Sequence, residues 1–437
     1  MVFSHRNGMI PRPRVDKAMI ERLYRPVLFI VALTIMVLRA PDYFVHPRFW
    51  AEEGTYFYTF ATTHGWLASL FTPRFGYLQF FSNVSAFLAS RLTSVESAPL
   101  VTTLLGFLVH LVPVALVVWG NSLLWQSVPR RLAGLGLVLF VPLSGEMWLN
   151  TINCKSHFAL CALLIFLEEA GRAGTARKWI YRGVLSIACL SSPEACCLTL
   201  VFGVKAFFSR ERESFVQLGI MMTICALQAV ATQFTLDAQV VAGRSGTVTP
   251  GFFGFIVLLK AVVLPVLGPT VVDAMARPLY LLWRADGEFF ESMGMVTLIA
   301  VPSVLVIAMR RCDRVLRITL PLAFYSLLIF SVLFGYGNKL VLLRALNAHR
   351  YFWVPGIMVL VGVVAVSKAT TSRWQAAVCW VVLSVAILNG MCIYRSSLMR
   401  CDSCPRWRAE VQKWRKDAAY TMKIWPEGWS MNLPSRN

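Results

Sequence analysis

The sequence predicts an all-α, polytopic membrane protein with roughly ten to twelve membrane segments, some of them re-entrant or broken helices. Hydrophobic residues make up 57% of the 437 residues and charged residues only 15%, whereas about a quarter of a soluble globular chain is charged. The apolar residues form continuous runs, which excludes the alternating pattern of a membrane β-barrel. Aromatic residues account for 13% of the chain and require burial, so a disordered polypeptide is excluded as well.

The apolar runs are separated by short polar connectors, and one membrane crossing needs about 20 apolar residues. Several runs are shorter than this or are interrupted, so the expected count includes helices that enter the membrane without crossing it. The runs occupy residues 26–38, 76–92, 99–118, 132–143, 158–167, 180–208, 216–234, 252–267, 295–309, 318–334, 351–366 and 376–393.

The formal net charge of +20 comes from 42 basic and 22 acidic residues. Most of the basic residues lie in the connectors, where they favour the cytoplasmic side and orient the chain across the bilayer. No nucleic acid is expected as a partner, because the basic residues are spread over many connectors instead of forming one basic surface.

The N-terminus is expected in the cytoplasm, because the segment before the first apolar run is strongly basic. Residues 40–75 then form the first periplasmic loop, and within it residues 55–71 have the composition of an interfacial amphipathic helix. The basic residues of the N-terminal segment are Arg6, Arg12, Arg14, Lys17, Arg22 and Arg25.

Two later apolar runs conflict with simple crossings. Residues 180–208 begin and end beside basic connectors, and Ser191-Ser192-Pro193-Glu194 interrupts their middle. We expect two short helices that meet near the outer face, with Glu194 at the break, where a carboxylate is costly unless it is used. Residues 252–267 contain Lys260 and Pro265, and we expect this run to dip into the membrane and return to the outer side.

The chain is expected to divide into a transmembrane domain, residues 1–394, and a small polar tail, residues 395–437. Lys368 and Arg373 precede the last apolar run, which would therefore exit to the periplasm and carry the tail there. The Arg and Lys residues of the tail argue for the opposite side. In this topology the periplasmic loops carry most of the chemically active side chains.

An acidic pair, Glu52 and Glu53, follows the first apolar run. Two adjacent carboxylates cannot be buried in lipid without a large cost, so they face water or a cavity. Such a pair can act as a general base toward a hydroxyl or hold a divalent cation. From the pair alone, a solvated loop before a helix N-terminus is favoured, because acids suit that end of the helix dipole.

Four short motifs, the first of which contains the acidic pair, occur in order along nearly the whole chain: Ala51-Glu52-Glu53-Gly54, Gly76-Tyr77-Leu78, Arg350-Tyr351-Phe352 and Pro426-Glu427-Gly428-Trp429. In that order they resemble the bacterial GT-C glycosyltransferases, integral membrane enzymes that use polyprenyl-phosphate sugars. Glu53 stands where this family usually has Asp, and Ser82-Asn83 replace a Pro-Arg that commonly follows the second motif.

The resemblance implies that Glu53 and Glu52 are the catalytic residues. Of the two, Glu53 is preferred as the base that accepts the proton of the acceptor hydroxyl. The family usually has Asp at this position and this chain has Glu, which indicates that the negative charge itself is required there. Glu52 would then orient the loop or bind a divalent cation, Mg²⁺ or Mn²⁺. No cofactor follows from the sequence itself.

The predicted periplasmic loop 336–350 carries four basic side chains. Such residues are normally concentrated in the cytoplasmic loops of membrane proteins, so their presence here asks for a functional reason. Arg forks and Lys suit a lipid-linked phosphate, and the resemblance places a phosphate-contacting Arg at Arg350. The alternative is that this loop is cytoplasmic. The expected donor-phosphate ligands are Arg350, Arg344, Lys339 and His349.

Seven further residues on the predicted periplasmic segments are candidates for the active site. Glu146 is a candidate second acid. His157 opens an apolar run, so a satisfied interfacial histidine is favoured over a functional one. The seven are Tyr77, Arg74, Glu146, Asn153, His157, Glu194 and Tyr351.

The implied function is inverting transfer of a sugar from a polyprenyl-phosphate donor to a hydroxyl acceptor at the periplasmic face of the bacterial inner membrane. The acceptor is a surface glycan such as an O-antigen, or a protein such as a pilin. A transporter or flippase of a lipid-linked glycan is the competing class, and it would require charges along a path through the membrane. A catalytically inert assembly protein is a third class, and it would tolerate loss of both acids.

Overall fold

The computed structural model describes residues 17–142, 144–235, 248–335, 340–395 and 406–434. It is 78% helical, and within the described residues the strands are confined to one short antiparallel hairpin, Met422–Lys423 with Ser430–Met431. The predicted all-α class is confirmed.

The helices are numbered here in chain order, and α13 combines three consecutive helical stretches. They are α1 (Lys17–Arg39), α2 (Asp42–Val45), α3 (Thr59–Thr63), α4 (Trp66–Phe71), α5 (Phe80–Leu92), α6 (Ala98–Trp119), α7 (Val128–Phe140), α8 (Cys154–Phe166), α9 (Thr175–Ser191), α10 (Pro193–Cys196), α11 (Thr199–Ser209), α12 (Arg212–Thr235), α13 (Pro250–Leu267), α14 (Pro269–Ala285), α15 (Gly287–Ala308), α16 (Arg314–Gly335), α17 (Trp353–Ala369), α18 (Arg373–Cys392) and α19 (Trp407–Lys416).

Among the described residues, five helices are long and apolar enough to cross a membrane, or six if a bent pair counts as one span. The helices α8 and α17 are also apolar but shorter. The larger predicted count of ten to twelve membrane segments stays a prediction. The five spans are Ala98–Trp119, Arg212–Gln233, Pro250–Leu267, Gly287–Arg311 and Arg373–Cys392.

The predicted break in the run 180–208 is confirmed. The segment Thr175–Ser191 and the segment Pro193–Ser209, which contains α10 and α11, meet at a bend of 118°. Ser192 has an extended backbone, with φ −140° and ψ 111°, because a residue that precedes proline is disfavoured in the helical region. Its hydroxyl accepts a hydrogen bond from Ala195 N at 3.3 Å, so the second helix restarts with a side-chain cap.

The run 252–267 differs from its prediction, because α13 is one continuous helix that includes a π-helical stretch, Val257–Val263. Near its beginning, α13 packs closely on α15: a Cβ on Gly254 would overlap the carbonyl group of Gly294, and a Cβ on Gly294 would overlap the backbone of Gly251. The run itself is therefore a single helix that makes no turn.

Both ends of α13 nevertheless pack toward the same end of the bundle. Near its last turn, Asn389 of α18 donates from Nδ2 to the carbonyl oxygen of Val266 at 2.5 Å, and Pro265 contacts Gly356 of α17. These residues, like Gly294, lie in the halves of their helices that are far from the basic connectors. We call the end that carries Arg172, Arg311 and Lys368 the basic end of the bundle.

Residues 406–434 pack on the first loop and form a second, smaller apolar core with it. Trp425 N donates to the carbonyl oxygen of Phe49 at 3.1 Å, and Trp407 Nε1 donates to that of Val95 at 2.9 Å. Thr55 Oγ1 donates to the carbonyl oxygen of Ser430 at 2.9 Å. The described tail therefore lies on the same side of the molecule as the first loop.

Candidate functional site

A group of ionisable side chains meets at the end of the bundle opposite the basic end. Its members come from the first loop, from the beginnings of α8 and α10, and from the turns that precede α8 and α17. Because these segments are far apart in the sequence, only the fold brings them together. We call this set the charged cluster: Glu52, Tyr77, Glu146, Lys155, Glu194, Arg350 and Tyr351.

Arg350 is the centre of the charged cluster. Its guanidinium forms an ion pair with Glu146 and donates from Nη2 to the hydroxyl of Tyr351 at 3.1 Å. The side chains of Arg350 and Glu146 are 29% and 19% exposed, so the pair is half-buried and remains accessible. Burial alone would lower the pKa of Arg350, but Tyr351, Glu146 and Glu52 outweigh it and raise that pKa. Arg350 therefore stays cationic.

Lys155 supplies a second cation beside Arg350. Its Nζ lies 3.5 Å from the hydroxyl of Tyr77 and 5.5 Å from the centre of the Tyr351 ring. Glu194, which is only 3% exposed, interacts electrostatically with both Lys155 and Arg350. Burial would raise the pKa of the Tyr351 hydroxyl, yet the two cations outweigh it and lower that pKa. The cluster is thus organised around two positive charges.

A cavity of about 170 Å³ opens beside Lys155, Glu194 and the two tyrosines. Its polar wall carries these side chains, and its other wall is formed mainly by apolar groups of the first loop, α12 and α16 such as Phe75, Ala229 and Phe330. The arrangement can hold an anionic group next to a hydrocarbon chain, because charge and apolar surface meet in one recess.

The backbone around the charged cluster is strained. Five non-glycine residues in the described part of the chain have positive φ, and four of them lie within three residues of a cluster residue in the sequence. Such conformations cost about 1–3 kcal/mol each and persist where the surroundings impose them, often at functional sites. The four are Ala51 (φ 37°), Phe75 (φ 55°), Leu149 (φ 52°) and Ala348 (φ 54°).

The two residues of the acidic pair have different environments. Glu53 is 1% exposed; its Oε1 accepts hydrogen bonds from Thr151 N at 3.0 Å and Thr151 Oγ1 at 2.5 Å, and its Oε2 accepts one from Trp50 N at 3.2 Å. Burial raises the pKa of the Glu53 carboxyl, although these bonds oppose the shift. Glu52 is half-buried and interacts electrostatically with Arg350. Glu53 is thus enclosed by three hydrogen-bond donors, whereas Glu52 is the member of the pair that interacts with Arg350.

Two predicted site residues, Asn153 and His349, lie beside the charged cluster without adding a charge to it. Asn153 is buried and donates from Nδ2 to the carbonyl oxygen of Glu146 at 3.0 Å, so it shapes the Glu146 turn. His349 is buried beside Arg350, and its Nδ1 lies 2.7 Å from the carbonyl oxygen of Leu346. Burial lowers the pKa of His349, which makes it a neutral residue that supports the turn.

Other predicted site residues have different surroundings. The Arg74 guanidinium lies 4.2 Å from the Phe60 ring centre. His157 packs 3.6 Å from the His110 ring and 4.8 Å from the Trp353 ring, inside an aromatic core. The Arg344 side chain is exposed. Lys339 lies outside the described residues.

Lys155 and Lys260 lie in or support the site but were not among the predicted site residues. Lys155 follows a turn and opens an apolar helix, and that position was the only signal in the sequence. Lys260 is 1% exposed in α13, and its Nζ donates to the carbonyl oxygens of Arg344, Ala345 and Asn347, the last two at 3.0 and 3.1 Å. Lys260 thereby holds the loop that leads to Arg350.

Replacement of Lys260 by Met is expected to lower the thermal midpoint of unfolding in detergent. Three carbonyl oxygens would lose their donor, and the buried one, that of Ala345, would cost about 1–3 kcal/mol when unsatisfied. Lys423→Met, at an exposed position in the tail, is the matched control and should keep the wild-type midpoint. An unchanged midpoint for Lys260→Met would contradict this role.

Among the residues that the structure describes, no three His, Cys, Asp or Glu side chains are grouped so that they could hold a metal ion. Glu52 remains the residue expected to take part if a divalent cation binds.

The chain was compared with models of protein families, with curated proteins and with solved structures. No family model, curated protein or solved structure matches the sequence or the fold.

Proposed function

We propose that this protein is a GT-C-type membrane glycosyltransferase that moves a sugar from a polyprenyl-phosphate donor to a hydroxyl acceptor at the periplasmic face of the inner membrane. The observation that carries the proposal is the pairing of two cations, Arg350 and Lys155, with an accessible carboxylate, Glu52, beside a recess that has an apolar wall. Transfer from a lipid-linked phosphate sugar requires the same three groups: cations for the phosphate, a base for the acceptor hydroxyl and an apolar surface for the lipid chain.

Arg350 and Lys155 would bind the phosphate of the donor. An Arg fork and a Lys point charge together suit a phosphate, and their charge stabilises the negative charge that develops when the phosphate leaves. Glu146 and Tyr351 hold the guanidinium in position. The prenyl chain would lie along Phe330 and the neighbouring apolar groups of α12.

Glu52 would act as the general base. The acceptor hydroxyl oxygen attacks the anomeric carbon of the donor while the bond between that carbon and the phosphate oxygen breaks. The hydroxyl proton passes to Glu52, and polyprenyl phosphate leaves with the bonding electrons. Attack from the face opposite the phosphate inverts the anomeric configuration. Glu53 would hold the 151–153 turn against the first loop through its bonds to Thr151.

Three further features support this assignment over a glycan flippase. The site cations are at one end of the bundle, whereas a flippase needs polar groups along a path. The strained backbone is concentrated at the cluster, as in sites that are organised for chemistry. The chain also has the four motifs of the GT-C type in order. The first motif contributes Glu52, the second Tyr77 and the third Arg350.

The deciding experiment uses purified full-length protein in detergent, where no two-sided membrane exists. We expect a radiolabelled sugar to move from a polyprenyl phosphate to the acceptor, with release of polyprenyl phosphate, because an enzyme needs no compartments. A flippase would leave the donor intact in this assay and move it only in vesicles.

The acceptor and the sugar are to be found first by mass spectrometry of surface glycans and pilins from a deletion strain. Addition of a chelator, followed by Mg²⁺ or Mn²⁺, measures any requirement for a divalent cation at Glu52. A surface identical to that of the parent strain would contradict the proposed function.

A further inference from the structure

The described part of the tail, residues 406–434, is strongly basic. It contains six Arg and Lys side chains and three acids, of which Glu410 is buried. The contacts of Trp407 and Trp425 place it against the first loop, at the end of the bundle opposite the basic end. Positive charges are normally concentrated on one side of a membrane protein, so the orientation of the chain does not account for these cations.

Helix α19 is amphipathic, and its apolar side faces the protein. Trp407 and Val411 are buried in the smaller apolar core that the tail shares with the first loop. Because an α-helix has 3.6 residues per turn, positions 408, 412, 415 and 416 lie on a side turned away from that core, and all four are exposed. At 1.5 Å per residue, this side is about 12 Å long. Its three cations form what we call the basic stripe: Arg408, Arg415 and Lys416.

Most of the charge of the basic stripe is not neutralised by the protein itself. Arg408 and Lys416 form no ion pair with any residue that the structure describes. Arg415 lies 2.7 Å from Glu96, but its side chain is still 59% exposed. The stripe therefore presents positive charge to solvent at several points along one helix.

The strand that follows α19 connects the basic stripe to the candidate site. Lys423 on this strand is exposed, and its backbone N–H donates to Oε2 of Glu410 in α19 at 2.8 Å. Two residues further on, the carbonyl oxygen of Trp425 accepts a hydrogen bond from the backbone N–H of Ala51. The next residue in the chain is Glu52, so the cations of the tail lie on a segment that adjoins the proposed general base.

The described tail has no apolar surface that could insert into a membrane. Its large hydrophobic side chains within residues 406–434 are all buried or half-buried. A helix that binds a membrane surface buries an exposed apolar face as well as placing cations near the lipid, and protein interfaces are built around apolar and aromatic anchors. A hydrated polyanion requires only the cations.

We propose that the basic stripe and Lys423 bind the carboxylates of an acidic polysaccharide, which is the acceptor of the transferred sugar. This inference rests on the proposed glycosyl transfer, because that function calls for a glycan beside Glu52. Arg and Lys suit carboxylates. Since the cations are spaced along an extended surface, a chain with repeated carboxylates can contact Arg408, Lys416 and Lys423 at the same time, whereas a single small anion cannot.

The test measures binding of an oligogalacturonate to the full-length protein in phosphatidylcholine nanodiscs. A maltooligosaccharide of the same length is the neutral probe. We expect only the acidic probe to bind, with an affinity that falls as the salt concentration rises, because exposed charges are screened. Wild-type protein that shows no preference for the acidic probe would overturn the proposal.

The triple variant Arg408→Gln, Lys416→Gln and Lys423→Gln should weaken binding of the acidic probe by about tenfold or more, since three exposed charge contacts are lost. All three positions are exposed, so the thermal midpoint should remain that of the wild type. Wild-type affinity in this variant would refute the assigned surface.

The matched control removes three exposed cations from the basic end and should bind the acidic probe as the wild type does. It carries Arg172→Gln, Arg310→Gln and Arg311→Gln. A further arm repeats the measurement in nanodiscs that contain phosphatidylglycerol, where we expect the same affinity. If this anionic lipid abolishes binding of the acidic probe, the membrane surface occupies the basic stripe and the polysaccharide is refuted.

The transfer assay separates failure of this inference from failure of the proposed function. With the acceptor identified from the deletion strain, the triple variant should raise the KM for the acceptor and leave kcat unchanged, because the stripe binds the acceptor away from the reacting atoms. A wild-type KM in the triple variant would refute the stripe and leave the transferase. Binding of the acidic probe without any sugar transfer would refute the transferase and the role of the polysaccharide as its acceptor.

Discussion

Glu52→Gln is expected to reduce the rate of sugar transfer by about 10²–10⁴-fold, because a positioned general base contributes a factor of this size. The change keeps the size of the side chain and removes its charge. Since Glu52 is half-buried and its interaction with Arg350 is electrostatic, the thermal midpoint of the protein should stay close to that of the wild type.

Glu53→Gln should give the opposite pair of results. Glu53 is buried and accepts three hydrogen bonds, and an amide in its place cannot accept at both ends. One buried N–H would lose its acceptor, which costs about 1–3 kcal/mol, so the thermal midpoint should fall. The transfer rate per folded molecule should fall far less than in Glu52→Gln.

The measurement is transfer of labelled sugar by purified variants at equal amounts of folded protein, with thermal unfolding as the second readout. Asp42→Asn, an exposed acid of the same loop, is the matched control and should resemble the wild type in both. If Glu52→Gln and Glu53→Gln both transfer sugar at the wild-type rate, the proposed mechanism is wrong.

Arg350→Ala is expected to lower the transfer rate by about 10²–10³-fold, or ~2–4 kcal/mol of transition-state stabilisation, because the leaving phosphate loses its main cation. Arg350→Lys should recover only part of the rate, since a point charge does not reproduce the bidentate fork. Binding of the donor should weaken in both variants.

Arg344→Ala is the control for this experiment, because Arg344 lies on the same loop but its side chain is exposed. Its transfer rate should be that of the wild type. A second comparison uses Glu146→Gln, which removes the ion-pair partner of Arg350 and should lower the rate less than Arg350→Ala. Full activity of Arg350→Ala would remove this residue from the site.

The class of fold was predictable because a lipid environment requires long apolar helices whose backbone groups bond within each helix. The break at Ser192-Pro193 was predictable for a local reason, since proline restricts the residue before it. The motif order also identified Arg350 and the acidic pair as candidates. These features depend on neighbouring residues in the chain, so they can be read without knowledge of distant contacts.

Other features of the site depend on contacts between distant segments. Glu52 and Glu53 are chemically the same, and only the packing of Thr151 on Glu53 assigns them different roles. His157 is placed in an aromatic core by His110 and Trp353, and its Nδ1 is buried without a hydrogen-bond partner in the described part of the chain.

The amino-acid sequence thus established the all-α membrane class, the bent helix pair and the chain segments that carry the acids and cations, because hydropathy, proline geometry and charge are properties of local sequence. The tertiary structure was needed to identify Lys155 and to distinguish Glu52 from Glu53. Burial and hydrogen-bond partners arise from segments as far apart as residues 53 and 151, or 260 and 345. No local pattern encodes which of two identical carboxylates the folded chain will enclose.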